Sequence, residues 1–334
     1  MGRPRKQVIS DETYEVSMRT GYGLPFVTTL YMQLILQGIV ARVQRDMKVV
    51  INHLIWMANH AHIIIQAKDA DQCKSFYGEV QKQLTEAVKR LLGRKHLCLW
   101  RSNETSLVRL GDKAAVMKRI AYLYANPARA NLVDSIDKYP GVSSWSGFIN
   151  SASSVNTLIS KNHPWIQAPM IPRLPVLAVS GAQDLRIAEG MLSRAVRSHE
   201  LILQPNAWMK RYGISSPEDV AATNRSILAM VREHEEKARD KRNAAGLKVK
   251  GANRLRREAL TLNYRPKKET RRIFVYAADK DIRIKMIAHY RGFCARCREC
   301  YQRWKRGELS VEWPPGAYKP PQPSTTNWLL TSLG

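Results

Sequence analysis

What constrains this chain most is the way its apolar residues change period over the first 150 positions. Across 13–20, Tyr14, Val16 and Met18 alternate with polar residues, the spacing of a half-buried strand. Across 27–47 the spacing lengthens, and Met32, Leu36, Ile39 and Val43 fall on one helical stripe. Residues 49–57 and 60–67 read as a strand pair joined by the turn residues Ala58 and Asn59. Phe76, Val80, Leu84, Ala87 and Leu91 mark a second amphipathic helix. Short apolar runs at 97–100 and 106–110 supply one or two more strands. A third helix is expected over 112–126, stopped by Pro127, which cannot donate to the helical ladder. The order βαββαβα predicts an α+β fold: a small antiparallel sheet with helices on one face, the ferredoxin-like arrangement.

The remainder reads differently. Residues 151–180 are rich in Ser, Asn and Pro and are expected to form a linker. Residues 181–310 read as a mostly helical, strongly basic accessory region, with helices over 183–202, 216–242 and 281–306. Residues 311–334 carry a run of prolines and are expected to be extended. Composition bears on the partner of such a chain. The chain holds 54 Lys and Arg against 28 Asp and Glu, a net charge of +26. Positions 225–306 alone hold 25 basic and 9 acidic residues, a net of +16. Such a balance suggests a polyanionic partner, nucleic acid first, because every neutralised phosphate releases counterions. A basic protein that is merely soluble stays open on composition alone. No run of about 18 apolar residues and no leader pattern suggests a membrane or export. Five cysteines, an odd number with three crowded at Cys294, Cys297 and Cys300, suggest a reducing, cytoplasmic compartment.

Two constellations carry chemistry. His60 and His62 are two apart on an expected strand, so both imidazoles project from one face while Ala61, Ile63 and Ile65 point into the core. Side by side they are half of a divalent-metal site, or simply two surface histidines. On the third helix Tyr122 and Asn126 lie one turn apart, with Lys118 a turn earlier, while Val116, Ile120 and Leu123 supply the buried stripe. A tyrosine phenol is a poor nucleophile until its target is polarised, which a metal on a phosphate accomplishes. On residue type alone, Tyr122 and Tyr124 are equally readable as packing aromatics.

Three segments taken together resemble the REP-associated tyrosine transposases, the single-tyrosine members of the His-hydrophobic-His (HUH) endonucleases. Trp56-Met57-Ala58-Asn59-His60-Ala61-His62, followed by three isoleucines, looks like the family's metal strand. The stretch from Tyr122 through Asn126-Pro127-Ala128-Arg129-Ala130-Asn131 to Val133 is similar to its catalytic helix and following turn. Tyr139-Pro140 and Ser143-Ser144-Trp145 resemble the motif that closes the domain, so the likeness covers about residues 8 to 148. Two positions depart from the family's pattern: Ala58, where proline is usual, and Asn131, where glycine is common.

The resemblance implies an HUH domain over 1–150 and a bacterial, nucleoid-associated DNA strand transferase acting on single-stranded or hairpin DNA. His60, His62 and the Asn126 side-chain oxygen would hold Mg²⁺ or Mn²⁺, hard cations that favour oxygen. Tyr122 would attack phosphorus to give a 5′-phosphotyrosine and a free 3′-hydroxyl; Tyr124 is the competing nucleophile. Rolling-circle initiators and relaxases share the paired histidines but often add a helicase, for which this chain has no Gly-rich phosphate loop. A domesticated, non-cleaving DNA-binding protein could keep the same fold.

The remaining candidates concern DNA contact. Arg3, Arg5 and Lys6 form a basic N-terminal sequence that reads either as a minor-groove hook or as a flexible arm on phosphate. Lys118, Arg129, Arg256, Arg257, Lys267, Lys268, Arg271 and Arg272 are further candidate phosphate contacts. Cys294, Cys297 and Cys300, with His289, could ligate zinc, although a continuous basic helix over this stretch would not converge them. No oligomeric state is legible.

Overall fold

The computed structural model describes residues 5–100, 105–150, 155–174, 181–263 and 273–320. Its first seven elements follow the expected order: β1 (Thr13–Arg19), α1 (Leu30–Met47), β2 (Val50–Met57), β3 (His60–Gln66), α2 (Ala70–Leu91), β4 (Ser106–Leu110) and α3 (Lys113–Arg129). The four strands stand in the order β2-β3-β1-β4, every neighbour antiparallel. The β2–β3 turn at Ala58 and Asn59 sets Met57 opposite His60, and β1 then places Ser17 opposite His62 and Arg19 opposite His60. Asp69 and Asp112 each cap the helix that follows, accepting from Gln72 N and Ala115 N.

The sheet is covered on both faces, not on one. Tyr14, Val16, Met18, Ile63 and Ile65 pack on one face with Ile35 and Ile39 of α1 and with Phe76, Val80 and Leu84 of α2. On the other face Ile55, Ile64 and Val108 meet Val116, Ile120 and Leu123 of α3. Within β3, Ile63 and Ile65 thus point to the α1–α2 face and Ile64 to the α3 face, and full burial of each such side chain contributes about 1.5–3 kcal/mol.

The α3 helix also runs through Pro127 and ends at Arg129. A proline is tolerated there because it sits in the last turn and the end is closed by other bonds. Asn131 N donates to Ala128 O and Leu132 N to Pro127 O, with Asn131 at φ +55°. That is the pattern of a helix terminated by a left-handed residue, a place suited to Gly or Asn.

Beyond residue 150 the structure departs from the expectation of a linker and a helical appendage. After the short α4 (Trp145–Ile149), β5 (Ile159–Pro164) lies within 151–180. Residues 183–202 divide into α5 (Gly181–Leu192) and β6 (Ser198–Leu203). The strands β5 and β6 pair with each other, and β6 joins β2 in parallel at Ile51–Leu203. At the opposite edge β7 (Val275–Tyr276) joins β4, giving the seven-stranded order β5-β6-β2-β3-β1-β4-β7. The long helix α6 (Pro217–Ala244) lies against α3, burying Val220, Ile227 and Val231 in the same cluster as Ile120 and Leu123. A short α7 (Ala252–Arg256) follows, held to the turn after α3 by Lys250 N to Asn131 O and Gly251 N to Leu132 O.

The last helix, α8 (Lys280–Lys305), matches the expected basic helix. Residues 311–320 return to the N-terminal arm, where Val8 N donates to Gly316 O. Among the described residues no helix is long and apolar enough to cross a membrane.

Candidate active site

His60 and His62 open β3 and share the face that α3 covers, their ring centroids 5.0 Å apart. Each is oriented through Nδ1. His60 Nδ1 lies 2.7 Å from Asn59 Oδ1, and His62 Nδ1 lies 2.7 Å from Glu15 Oε1 and 2.9 Å from Ser17 Oγ. An amide oxygen and an ionised carboxylate only accept, so both Nδ1 atoms donate and both Nε2 atoms are left for another partner. Burial, then the charges of His62 and Arg19, push the His60 pKa well below the usual imidazole range, which keeps that ring neutral. Two imidazoles anchored at Nδ1 match the arrangement common in metal-binding histidines.

Glu15 is the hub of the site, and the sequence reading missed it. It comes from β1, is 1% exposed, and accepts from Arg119 Nε at 2.6 Å through Oε2 while Oε1 faces His62. Burial alone would raise its pKa; the bonds and charges of His62 and Arg119 outweigh that and hold the carboxyl below its ordinary value. A signal was available, since Glu15, Ser17 and Arg19 alternate with the core residues of β1 and so share one face. Which strand they would face was not legible.

Tyr122 lies half-buried on α3 with its ring centroid 6.2 Å from that of His62. Two guanidinium groups bracket it, Arg119 at 4.8 Å and Arg129 at 4.3 Å from the ring centroid. Lys118, the cation expected beside it, is exposed; Arg119 takes that place one residue on.

Tyr124 occupies a different environment. It is fully buried, stacks on Phe148, and its hydroxyl lies 2.8 Å from His53 Nδ1 and 2.9 Å from Ser144 Oγ. Burial raises its phenol pKa far above the ordinary value, only partly countered by Ser144, so it is a core residue. The Tyr139 to Trp145 segment braces the same region: Tyr139 Oη donates to Trp56 O, and Ser144 Oγ accepts from Leu54 N.

Asn126 lies one turn after Tyr122 and is half-buried, with its Nδ2 buried and without a partner. The protein does not fix this amide through its nitrogen, so its oxygen is free to turn toward an ion. Among the described residues no three His, Cys, Asp or Glu converge on one point. Asn126 remains the candidate third ligand beside His60 and His62. Cys294, Cys297 and Cys300 are free thiols on α8; Cys297 and Cys300 are buried and His289 is exposed, so the zinc alternative finds no converged ligand set.

Arg5 and Lys6 are docked, contrary to the expectation of a flexible arm. Arg5 lies 5.2 Å from the Tyr301 ring centroid, and its carbonyl accepts from Tyr290 Oη. Lys6 sits over Tyr77 and donates to its hydroxyl at 3.2 Å. Arg256 and Arg257 are exposed, and Arg256 borders a cleft of about 310 Å³ with Asp134, Lys138 and Tyr139. Arg3, Lys267, Lys268, Arg271 and Arg272 lie outside the described residues.

No protein-family model matches the chain, and no curated protein matches it. A solved structure of a "REP associates tyrosine transposase bound to a REP hairpin" shows a distant likeness. Its sequence identity is 21% and its TM-score 0.39, over 45% of this chain and 86% of that one.

Proposed function

We propose that this chain is a divalent-metal-dependent, single-tyrosine strand transferase, a transposase that cleaves and rejoins single-stranded DNA at hairpin-associated sites. The observation that carries the reading is the meeting of two Nδ1-anchored imidazoles with a guanidinium-bracketed, half-buried tyrosine on one face of the sheet. In this reading the first four strands and their helices form the ferredoxin-like platform of the HUH class. His60 and His62 through Nε2, and Asn126 through its amide oxygen, would hold Mg²⁺ or Mn²⁺. The ion supplies Lewis-acid polarisation of a phosphate oxygen.

The chain's own residues do the rest. Tyr122 Oη forms the bond to phosphorus as the bond to the 3′-oxygen breaks. The phenol proton is released, the departing oxygen takes one up, and the product is a 5′-phosphotyrosine with a free 3′-hydroxyl. Arg129, beside the Tyr122 ring, would supply a cation to the DNA backbone there. Attack by another 3′-hydroxyl reverses the step and rejoins strands with no energy source.

The test is covalent-adduct formation with a panel of single-stranded hairpins. The full chain should form a protein–DNA adduct that requires Mg²⁺ or Mn²⁺, disappears with chelator, and is lost in His60→Ala and Tyr122→Phe. A Tyr122→Phe protein that still forms the adduct would overturn the assignment.

A further inference from the structure

The two guanidinium groups beside Tyr122 are not equivalent. Arg119 is paired: its Nε lies 2.6 Å from Glu15 Oε2 and its Nη2 contacts the same oxygen. Arg129, exposed at the end of α3, has no acidic partner among the described residues. An arginine neutralised by a buried carboxylate is poorly placed to neutralise a phosphate, whereas a free one keeps its charge for the substrate. The paired arginine is instead a structural link. From Tyr122 the path runs to the Arg119 face, from its Nε to Glu15, and from the other Glu15 oxygen to His62 Nδ1. It closes where the His62 ring meets Tyr122. That loop ties α3, β1 and β3 together through side chains alone.

Resting on the function proposed above, we propose that Glu15 and Arg119 are positioning residues that register the tyrosine helix against the histidine strand. Glu15 fixes the His62 ring with Nε2 outward, and Arg119 carries the same carboxylate's position to the Tyr122 ring. Ser17, directly opposite His62 on β1, supports the same ring from the side. The division of labour follows. Glu15 governs ion affinity, Arg119 governs the rate of the chemical step, and Arg129 governs DNA affinity.

The experiment compares wild type, Glu15→Gln, Arg119→Gln, the double variant and Arg129→Gln, each checked for folding by circular dichroism and thermal melting. Three quantities are read: direct Mn²⁺ titration without DNA, hairpin affinity in chelator, and adduct rate at saturating Mn²⁺ and DNA. Glu15→Gln should weaken Mn²⁺ binding roughly 10–100-fold, as loss of a ligand's hydrogen-bond partner does. Arg119→Gln should slow adduct formation about tenfold or more with hairpin affinity within about twofold of wild type. Arg129→Gln should do the reverse, weakening hairpin binding and its salt dependence. The double variant, which leaves no unpaired buried charge, should be no slower than the worse single variant, because both break one link.

Wild-type Mn²⁺ affinity in Glu15→Gln, or a wild-type adduct rate in Arg119→Gln, overturns the positioning proposal while leaving the transferase reading intact. A wild-type chain that forms no adduct overturns the transferase reading, and this proposal with it.

Discussion

Tyr122 and Tyr124 are the same residue type two positions apart, and their surroundings assign them opposite work. Tyr122 is half-buried between two cations and touches a histidine; Tyr124 is fully buried and hydrogen-bonded to His53 and Ser144. Removing the Tyr122 hydroxyl should change unfolding free energy by no more than about 0.5 kcal/mol, as for other substitutions that disturb no packing. Tyr124→Phe leaves a buried His53 nitrogen unsatisfied and should cost about 1–3 kcal/mol in urea denaturation while the adduct survives. The opposite pattern would mean that Tyr124 is the group that meets DNA.

His53 itself makes a pH prediction. Its Nε2 lies 3.0 Å from Pro205 O and donates to it, so Nδ1 accepts from Tyr124. Burial pushes its pKa down to about 3 from 6.5, only partly countered by the Pro205 carbonyl. Below pH 6.5 the unfolded chain takes a proton that the folded one refuses. Stability is therefore untouched by this group above pH 6.5, falls between pH 6.5 and about 3, and levels off below. One such group contributes about 1.4 kcal/mol per pH unit within that window. His53→Gln should show a shallower acid limb in thermal melts; an identical limb would show that folded His53 accepts its proton readily.

At the scale of elements, periodicity found what it should find and missed what depends on partners. The first seven elements were legible because one side of each is buried and its spacing is strict. The faces that His60, His62 and Tyr122 occupy were legible with them, since strand and helix geometry alone fixes those; the roles proposed for these residues rest on the resemblance of three short segments. Glu15 and Arg119 were not, because their meaning depends on β1 lying between β3 and β4. The strand β5 escaped notice because Ser160, Lys161 and Asn162 are exposed on an edge and Pro164 ends it. Residues 183–202 read as one helix because no Gly or Pro marks the break at Arg194 to Arg197, although His199, Leu201 and Leu203 do alternate inward.

The end of α3 was misread for the opposite reason. Pro127 is a strong stop signal, yet the helix is closed four residues later by Asn131 at positive φ. Asn131→Ala should then cost about 1 kcal/mol, and Asn131→Gly should be neutral or slightly stabilising, both read from thermal melts. Equal losses from both would show that the asparagine side chain, not its backbone, holds the turn.

For the whole molecule, the intimate packing of α6 on α3 and the entry of β5, β6 and β7 into the sheet change how the basic half can be studied. Cutting the chain near residue 225 would strip Ile227 and Val231 from the cluster that buries Ile120 and Leu123. Lost DNA binding would then report unfolding as much as lost charge. Point substitutions on α8 avoid this, because Lys285, Arg291 and Arg298 are exposed while Met286, Phe293 and Cys297 face inward. If this helix tracks a phosphate backbone, each of the three releases counterions on binding. Replacing all three with glutamine should then lower the slope of log affinity against log salt by roughly 0.7 per contact on single-stranded DNA. Unfolding curves should stay unchanged, since no buried group is touched. Adduct formation at saturating DNA should also persist, because His60, His62 and Tyr122 lie on β3 and α3. Binding of one hairpin at several salt concentrations decides the matter. An unchanged slope would assign the positive charge of α8 to a partner other than DNA.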